Sequence, residues 1–161
     1  MNKKIEENFL IQVDGRTEDV RSNDEALPGD TMQLLTKGNM VLRSGSYFIT
    51  YEETEATGFP GCTTTVKVSK DSRRVSMIRY GKASAHLVIE KGIRHLCHYD
   101  TGYGAMTLGV LADAIDCQLT PEGGTASFSY TLDMDPMGML SRNFVTIRVT
   151  PAAADAPSAN Q

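Results

Sequence analysis

Cysteine is scarce in this 161-residue chain and placed where it cannot cross-link or hold zinc. Cys62, Cys97 and Cys117 are odd in number and none belongs to a CxxC pair. That excludes a disulfide framework and a zinc knuckle, and leaves reduced thiols serving as small core filler. No apolar run reaches membrane length, and Phe9-Leu10-Ile11 is too short for the core of a signal peptide and follows Glu6 and Glu7. The expectation is a cytoplasmic protein with no membrane partner. Basic residues are not in excess either. A net charge of −4 and a pI near 5.3 argue against nucleic acid as a partner, because phosphate binding needs a basic face. Lys67, Lys70, Arg73, Arg74 and Lys82 form one local basic group, but no aromatic residues interleave for base stacking, so it reads as a solvated hairpin tip.

What the chain does have is 40% hydrophobic residues, enough for one domain with a real core, which we assign to residues 1–150. Residues 151–161 are an Ala, Pro and Ser tail expected to be disordered. Between Ser46 and Asp100 one pattern recurs: seven to ten alternating apolar and polar residues, then a short turn with Gly, Ser or Asp. This is the signature of an antiparallel meander. Strands are expected at 46–55, 62–69, 74–80, 83–90 and 94–100. Before them come a first strand at 8–13, a polar loop at 14–30 and a long strand at 31–43, with Gly38 marking a bulge. After them, 125–134 and 142–150 read as strands. Residues 106–119 are ambiguous: Leu108, Leu111, Ala112 and Ile115 have helical spacing, while the all-β context favours a bent strand. The fold class is therefore all-β, an antiparallel meander of about eight to ten strands forming a closed or nearly closed barrel.

Hairpin arithmetic then predicts which side chains share a face. Pairing Val66 with Met77 and Val68 with Val75 puts Thr64 opposite Arg79; continuing outward pairs Tyr51 with Val66, Ile49 with Val68 and Glu53 with Thr64. On the other side Ala83 falls beside Arg79, Ala85 beside Met77, Tyr99 beside Ala85 and Thr101 beside Ala83. The apolar face thus ends in a polar row of Glu53, Thr64, Arg79 and Thr101. A buried Arg must be paired, since its desolvation costs several kcal/mol, comparable with the stability of a whole domain. In one reading Glu53 simply pairs with Arg79 and plugs one end of the barrel, and ion-pair networks of this kind commonly exist without a function. In the other, Arg79 with Glu53, Thr64, Tyr51, Tyr99 and Thr101 holds the polar or anionic head of a small molecule whose body lies against Met77 and Leu87. The small side chains of Ala83 and Ala85 leave room for such a ligand, or equally for strand curvature.

These residues also carry a resemblance. Tyr-Phe-Ile-Thr-Tyr-Glu-Glu at 47–53, Thr-Thr-Val-Lys at 64–67, Arg-Tyr-Gly at 79–81, Tyr-Asp-Thr-Gly-Tyr-Gly at 99–104, Tyr-Thr-Leu-Asp at 130–133 and Arg142-Asn143 together resemble the YwiB-like family of bacterial proteins, over residues 31–149. The resemblance implies a calycin-type barrel, related in architecture to the lipocalins. It carries no assigned activity. Where the family usually has Pro this chain has Gly102, which implies a looser loop after Thr101.

Other constellations are weaker. His86, His95, Cys97, His98 and Asp100 look like a metal cluster in one dimension, but alternation puts His86, His98 and Asp100 on one face and His95 and Cys97 on the other, so no metal or cofactor is expected. A Cys97–His95 pair would sit in the core without an orienting acid. Glu52 and Glu53 are adjacent and point to opposite faces, which excludes two carboxylates acting on one bond. An enzyme using Glu53 as general base would lack any nucleophile or cofactor motif. The expectation is a non-enzymatic barrel that binds a small molecule near Arg79. The alternative is an interaction or homodimer-forming barrel with a filled interior and Phe48 and Phe144 on its outer face.

Overall fold

Ten strands arise from these alternating runs among the residues described by the computed structural model, which are 7–20, 26–100, 102–134 and 138–152. They are β1 (Phe9–Val20), β2 (Ala26–Arg43), β3 (Ser46–Glu52), β4 (Thr63–Ser69), β5 (Arg74–Tyr80), β6 (Ser84–Glu90), β7 (His95–Asp100), β8 (Ala105–Thr120), β9 (Gly123–Met134) and β10 (Gly138–Pro151). Every strand pairs antiparallel with its sequence neighbours, and β1 pairs with β10 to close the barrel. The only helical element among the described residues is a 3₁₀ turn, Glu55–Thr57, so residues 106–119 resolve as strand. The core fills the interior: Ile11, Ile49, Val66, Val68, Val75, Ile89, Val110 and Ile147 are fully buried.

Three sequence expectations are corrected. Residues 14–20 and 26–30 of the polar stretch are strand and not loop; β1 runs on to Val20, β2 begins at Ala26, and the two pair along these residues. Gly38 is not a bulge: it is the end pair of two ladders, opposite Phe9 on β1 and Tyr51 on β3, and neither shifts register there. It is a point of close approach: a Cβ there would lie 2.3 Å from the Thr50 carbonyl oxygen and 2.5 Å from Ile11 Cδ1. The β2 irregularity lies farther along, between the pairs Arg16–Thr31 and Glu18–Pro28, where residues 29 and 30 face Thr17. Finally, β10 extends to Pro151, and Ala152 donates its amide to the Asn8 carbonyl at 3.0 Å. Residues 153–161, the rest of the expected disordered tail, lie outside the described residues.

The central hairpin has the predicted register, with Val66 opposite Met77, Val68 opposite Val75 and Thr64 opposite Arg79. Its neighbours are each displaced by two residues. Tyr51 pairs with Thr64 and Ile49 with Val66, while Arg79 pairs with Ala85 and Met77 with Leu87. Two residues is one full period of a strand, so every side chain keeps its predicted face. Tyr99 pairs with Ala85 as expected.

The two ends of the barrel differ. At one end the β4–β5 turn leans across the interior, and the Ser72 hydroxyl accepts a 2.8 Å hydrogen bond from the Cys117 amide on β8. At the other end lie the 53–62 and 81–83 connections, and the polar residues of the interior gather there.

Candidate functional site

Glu53 immediately follows β3, and its amide donates to the Cys62 carbonyl at 2.8 Å, so it continues the ladder and directs its side chain inward. Thr64 on β4 donates its hydroxyl proton to Glu53 Oε2. Arg79 on β5 brings Nε to 3.8 Å from the same oxygen, with 15% of its side chain exposed against 4% for Glu53. That distance is about 1 Å longer than a charge-assisted hydrogen bond. The Arg79 Nε is buried and has no hydrogen-bond partner. Its guanidinium lies 3.7 Å from the centre of the Phe59 ring, a cation–π contact.

Tyrosines close the cluster. Tyr51 is buried on β3, and its phenol is raised well above the usual tyrosine value by burial first and by Glu53 second, with Arg79 opposing. Tyr130 on β9 is pushed up to about 12 by burial and by Tyr99, again with Arg79 opposing. Both therefore stay protonated as hydrogen-bond donors at neutral pH. Of the sequence-predicted residues, Glu53, Thr64, Arg79, Tyr51 and Tyr99 come together; Thr101 lies outside the described residues. The loop after it is not slack at Gly102, whose amide donates to Asp100 Oδ1 at 2.8 Å with φ +96°. Proline could adopt neither feature.

Arg79 forms part of the wall of two adjoining chambers. One, of about 170 Å³, includes Glu53, Tyr51 and Phe59. The other, of about 120 Å³, includes Thr64, Tyr99, Ala85, Leu87 and Leu132. Met77, Tyr130 and Asn143 border both. Met77, Ala85 and Leu87 thus supply an apolar wall beside the guanidinium, while Ala83 faces away toward the mouth, where its carbonyl accepts from the Cys62 thiol at 3.6 Å.

Sequence reasoning missed Phe59, Tyr130 and Asn143. Tyr130 continues the inward series Ala126, Phe128 on β9, and Asn143 continues Val149, Ile147, Val145 on β10, so alternation on those strands was the available signal. Asn143 Oδ1 accepts from the Thr17 hydroxyl at 3.1 Å, and its amide donates to Ser141 at 3.1 Å. Phe59 lies in the 53–62 connection, where no periodicity operates.

The remaining candidates are accounted for elsewhere. His86 and His98 face each other on exposed positions of β6 and β7, and no group of three metal-ligating side chains occurs among the described residues. His95 Nε2 lies 2.9 Å from Glu90 Oε1. Cys97 Sγ accepts from the Val88 amide at 3.3 Å, and burial raises its thiol above the usual value, which disfavours a nucleophilic thiolate.

A closed ten-stranded barrel with a buried polar cluster at one end defines the class. The family model for the domain of unknown function DUF1934 matches residues 11–147, and the chain belongs to that family. The match begins some twenty residues before the sequence motifs did, in keeping with the strand character of β1. The crystal structure of the ywiB protein from Bacillus subtilis is similar, with a TM-score of 0.70, 18% identity, and coverage of 89% of this chain and 91% of that one. That likeness concerns the fold alone. No curated protein matches the chain.

Proposed function

We propose that this barrel is a non-enzymatic binding protein that receives a small polar molecule through an acceptor group, carboxylate-like, docked on Arg79. The observation that carries the reading is a largely buried guanidinium, in the wall of both chambers, whose Nε has no hydrogen-bond partner. An unsatisfied buried donor costs about 1–3 kcal/mol, more when charged; Nε itself is sealed from the chambers, so a ligand oxygen would dock on the terminal nitrogens of the same guanidinium, which make no hydrogen bond among the described residues. The chambers are smaller than the ~300–1,000 Å³ clefts that take drug-sized ligands, so the ligand is small. Lipocalin-like proteins hold ligands inside the barrel in this way, an analogy of fold only. The apolar interior and charged outer face invert the pattern of a lipid-spanning barrel and support a barrel working in water. Three free cysteines are in keeping with the cytoplasm.

The plug reading is favoured by the Glu53 contact and the Phe59 stack, but a plug alone leaves the whole guanidinium without a hydrogen bond among the described residues. An interaction face built on Phe48 and Phe144 has less support. Lys67 lies 5.5 Å and Arg43 5.9 Å from the Phe48 ring centre, and Arg16 sits 4.1 Å from that of Phe144, so cations cover both rings.

The test is a thermal-shift screen of phosphate, small carboxylates and small amino acids against wild type and Arg79→Met. A binder at 100-fold its Kd stabilises by about 2.7 kcal/mol, and that shift should vanish in the variant. A panel that shifts neither protein, or both equally, would remove Arg79 as the docking group.

A further inference from the structure

Resting on the Arg79 reading, we infer that the ligand is a small aliphatic zwitterion of the α-amino-acid class, its carboxylate on Arg79, its ammonium on Glu53 and its side chain against Met77, Ala85 and Leu87. Three observations converge on this chemistry. The first is charge. Arg79 and Glu53 are opposite, both largely buried and 3.8 Å apart, so the empty site is close to neutral. A monoanion added to a neutral buried pair leaves one uncompensated charge in a poorly hydrated setting, and an unpaired buried charge is strongly disfavoured. A zwitterion brings both signs and leaves the sum at zero.

The second is the hydrogen-bond state of the two groups. The Arg79 guanidinium makes no hydrogen bond among the described residues, its Nε being sealed and its terminal nitrogens left for a ligand, and the Glu53 carboxylate takes only the Thr64 proton. Donor capacity and acceptor capacity therefore remain side by side, as the carboxylate and ammonium on a single α-carbon require. A ligand with only one of these groups would satisfy one protein partner and strip water from the other.

The third is the division of the cavity. Glu53 borders one chamber and Thr64 the other, and Arg79 borders both. The Thr64 chamber contains no carboxylate and has an apolar wall of Met77, Ala85, Leu87 and Leu132. At about 30 Å³ per water, chambers of 170 and 120 Å³ hold on the order of five waters each, a volume that suits a short side chain and its backbone head and rejects a large one.

The experiment uses matched probes: glycine with acetate, alanine with propionate, and valine with isovalerate and isobutylamine, which are valine without its amino group and without its carboxyl group. Affinities are measured by calorimetry on the full chain, as wild type, Glu53→Gln and Arg79→Met. At least one amino acid should bind wild type tenfold or more tighter than its matched carboxylate. Glu53→Gln should invert that preference, weakening the amino acid and strengthening the carboxylate, because the site then carries the unbalanced positive charge of Arg79. A carboxylate that binds wild type as well as its amino acid, and loses binding in Arg79→Met, would overturn the zwitterion and leave Arg79 as docking group. An amine that binds as well as valine would overturn it too, as would the failure of all three amino acids to bind. If Glu53→Gln does not fold, the wild-type comparison of valine, isovalerate and isobutylamine decides alone.

Discussion

Replacing Arg79 tests whether the polar end of the barrel is a coupled charge pair or two independent side chains. At 3.8 Å and an effective dielectric of 20, the attraction between Arg79 and Glu53 is about 4 kcal/mol before desolvation. Desolvation opposes it by an amount of similar size, so the intact pair contributes little net stability. Removing one partner is different, because the other stays buried. Breaking a buried pair costs about 3–5 kcal/mol; Arg79 is 15% exposed and Glu53 keeps its Thr64 bond, which reduces the expectation for Arg79→Met to about 2–3 kcal/mol. Arg79→Ala should cost about 1–2 kcal/mol more, since the aliphatic stem packed in the barrel wall is lost as well. In Glu53→Gln/Arg79→Met the amide oxygen still accepts from Thr64 and no charge remains, so the double variant should recover part of the loss, with a coupling energy of about 1–3 kcal/mol. Urea unfolding at neutral pH measures wild type, Arg79→Met, Glu53→Gln and their double variant, which close the cycle, together with Arg79→Ala, with a constant m-value confirming a common two-state transition. A coupling energy within about 0.3 kcal/mol of zero would refute the buried pair.

Gly38→Ala should cost more than about 2 kcal/mol, because its Cβ would lie 2.3 Å from the Thr50 carbonyl oxygen, backbone that the β2–β3 ladder holds in place; thermal unfolding should show a loss of roughly 5 °C or more, and an unchanged midpoint would contradict the close approach. Alkaline pH should unfold the protein through Tyr51 and Tyr130, whose phenols are raised in the folded state, that of Tyr130 to about 12. The unfolded chain ionises first, so stability is full below about pH 10 and then falls by about 1.4 kcal/mol per pH unit for each buried phenol. Urea midpoints measured on either side of that pH should diverge for wild type and converge for Tyr51→Phe/Tyr130→Phe; an equal fall in both would mean these phenols are not the cause.

Much of the fold was legible because alternation is a local signal and turns are short. The β4–β5 register came out residue for residue, since its turn at 70–73 is marked by Lys-Asp-Ser-Arg. The β3–β4 register slipped by two because the connection holds a 3₁₀ turn, Glu55–Thr57, where a strand was expected to reach 55. An even slip costs partner identities and preserves faces. That is why Glu53, Thr64 and Arg79 still met although the predicted opposite neighbour of Glu53 was wrong. The polar stretch 14–30 defeated the reading for a different reason. Thr17 turns its polar side chain inward while Arg16 lies over Phe144, so the apolar and polar faces that announce a strand are absent there.

Bulges explain what the rest of the site concealed. Counting back from the β9–β10 turn, where Gly138 pairs with Met134, an unbroken ladder would set Arg142 opposite Tyr130. The extra residue Leu140 shifts that ladder by one, so Asn143 pairs with Tyr130 and faces the chambers, while Arg142 turns outward to Asp113 at 3.4 Å. Asp113 is itself the extra residue of β8, where inward positions pass from Leu108, Val110 and Ala112 to Ile115, Cys117 and Leu119. The step of three from Ala112 to Ile115 is what imitated a helix. A third irregularity, at residues 29 and 30 of β2, lies opposite Thr17, the hydrogen-bond partner of Asn143. An inserted residue reverses the face of everything beyond it, and no periodicity in a single strand reveals where that happens. Two of the three flank Asn143 through its own ladder or its Thr17 bond, and the third joins β10 through Arg142. The same irregularities that misplace Asn143 when residues are counted from the turns are what bring it to the chamber walls that Arg79 also borders.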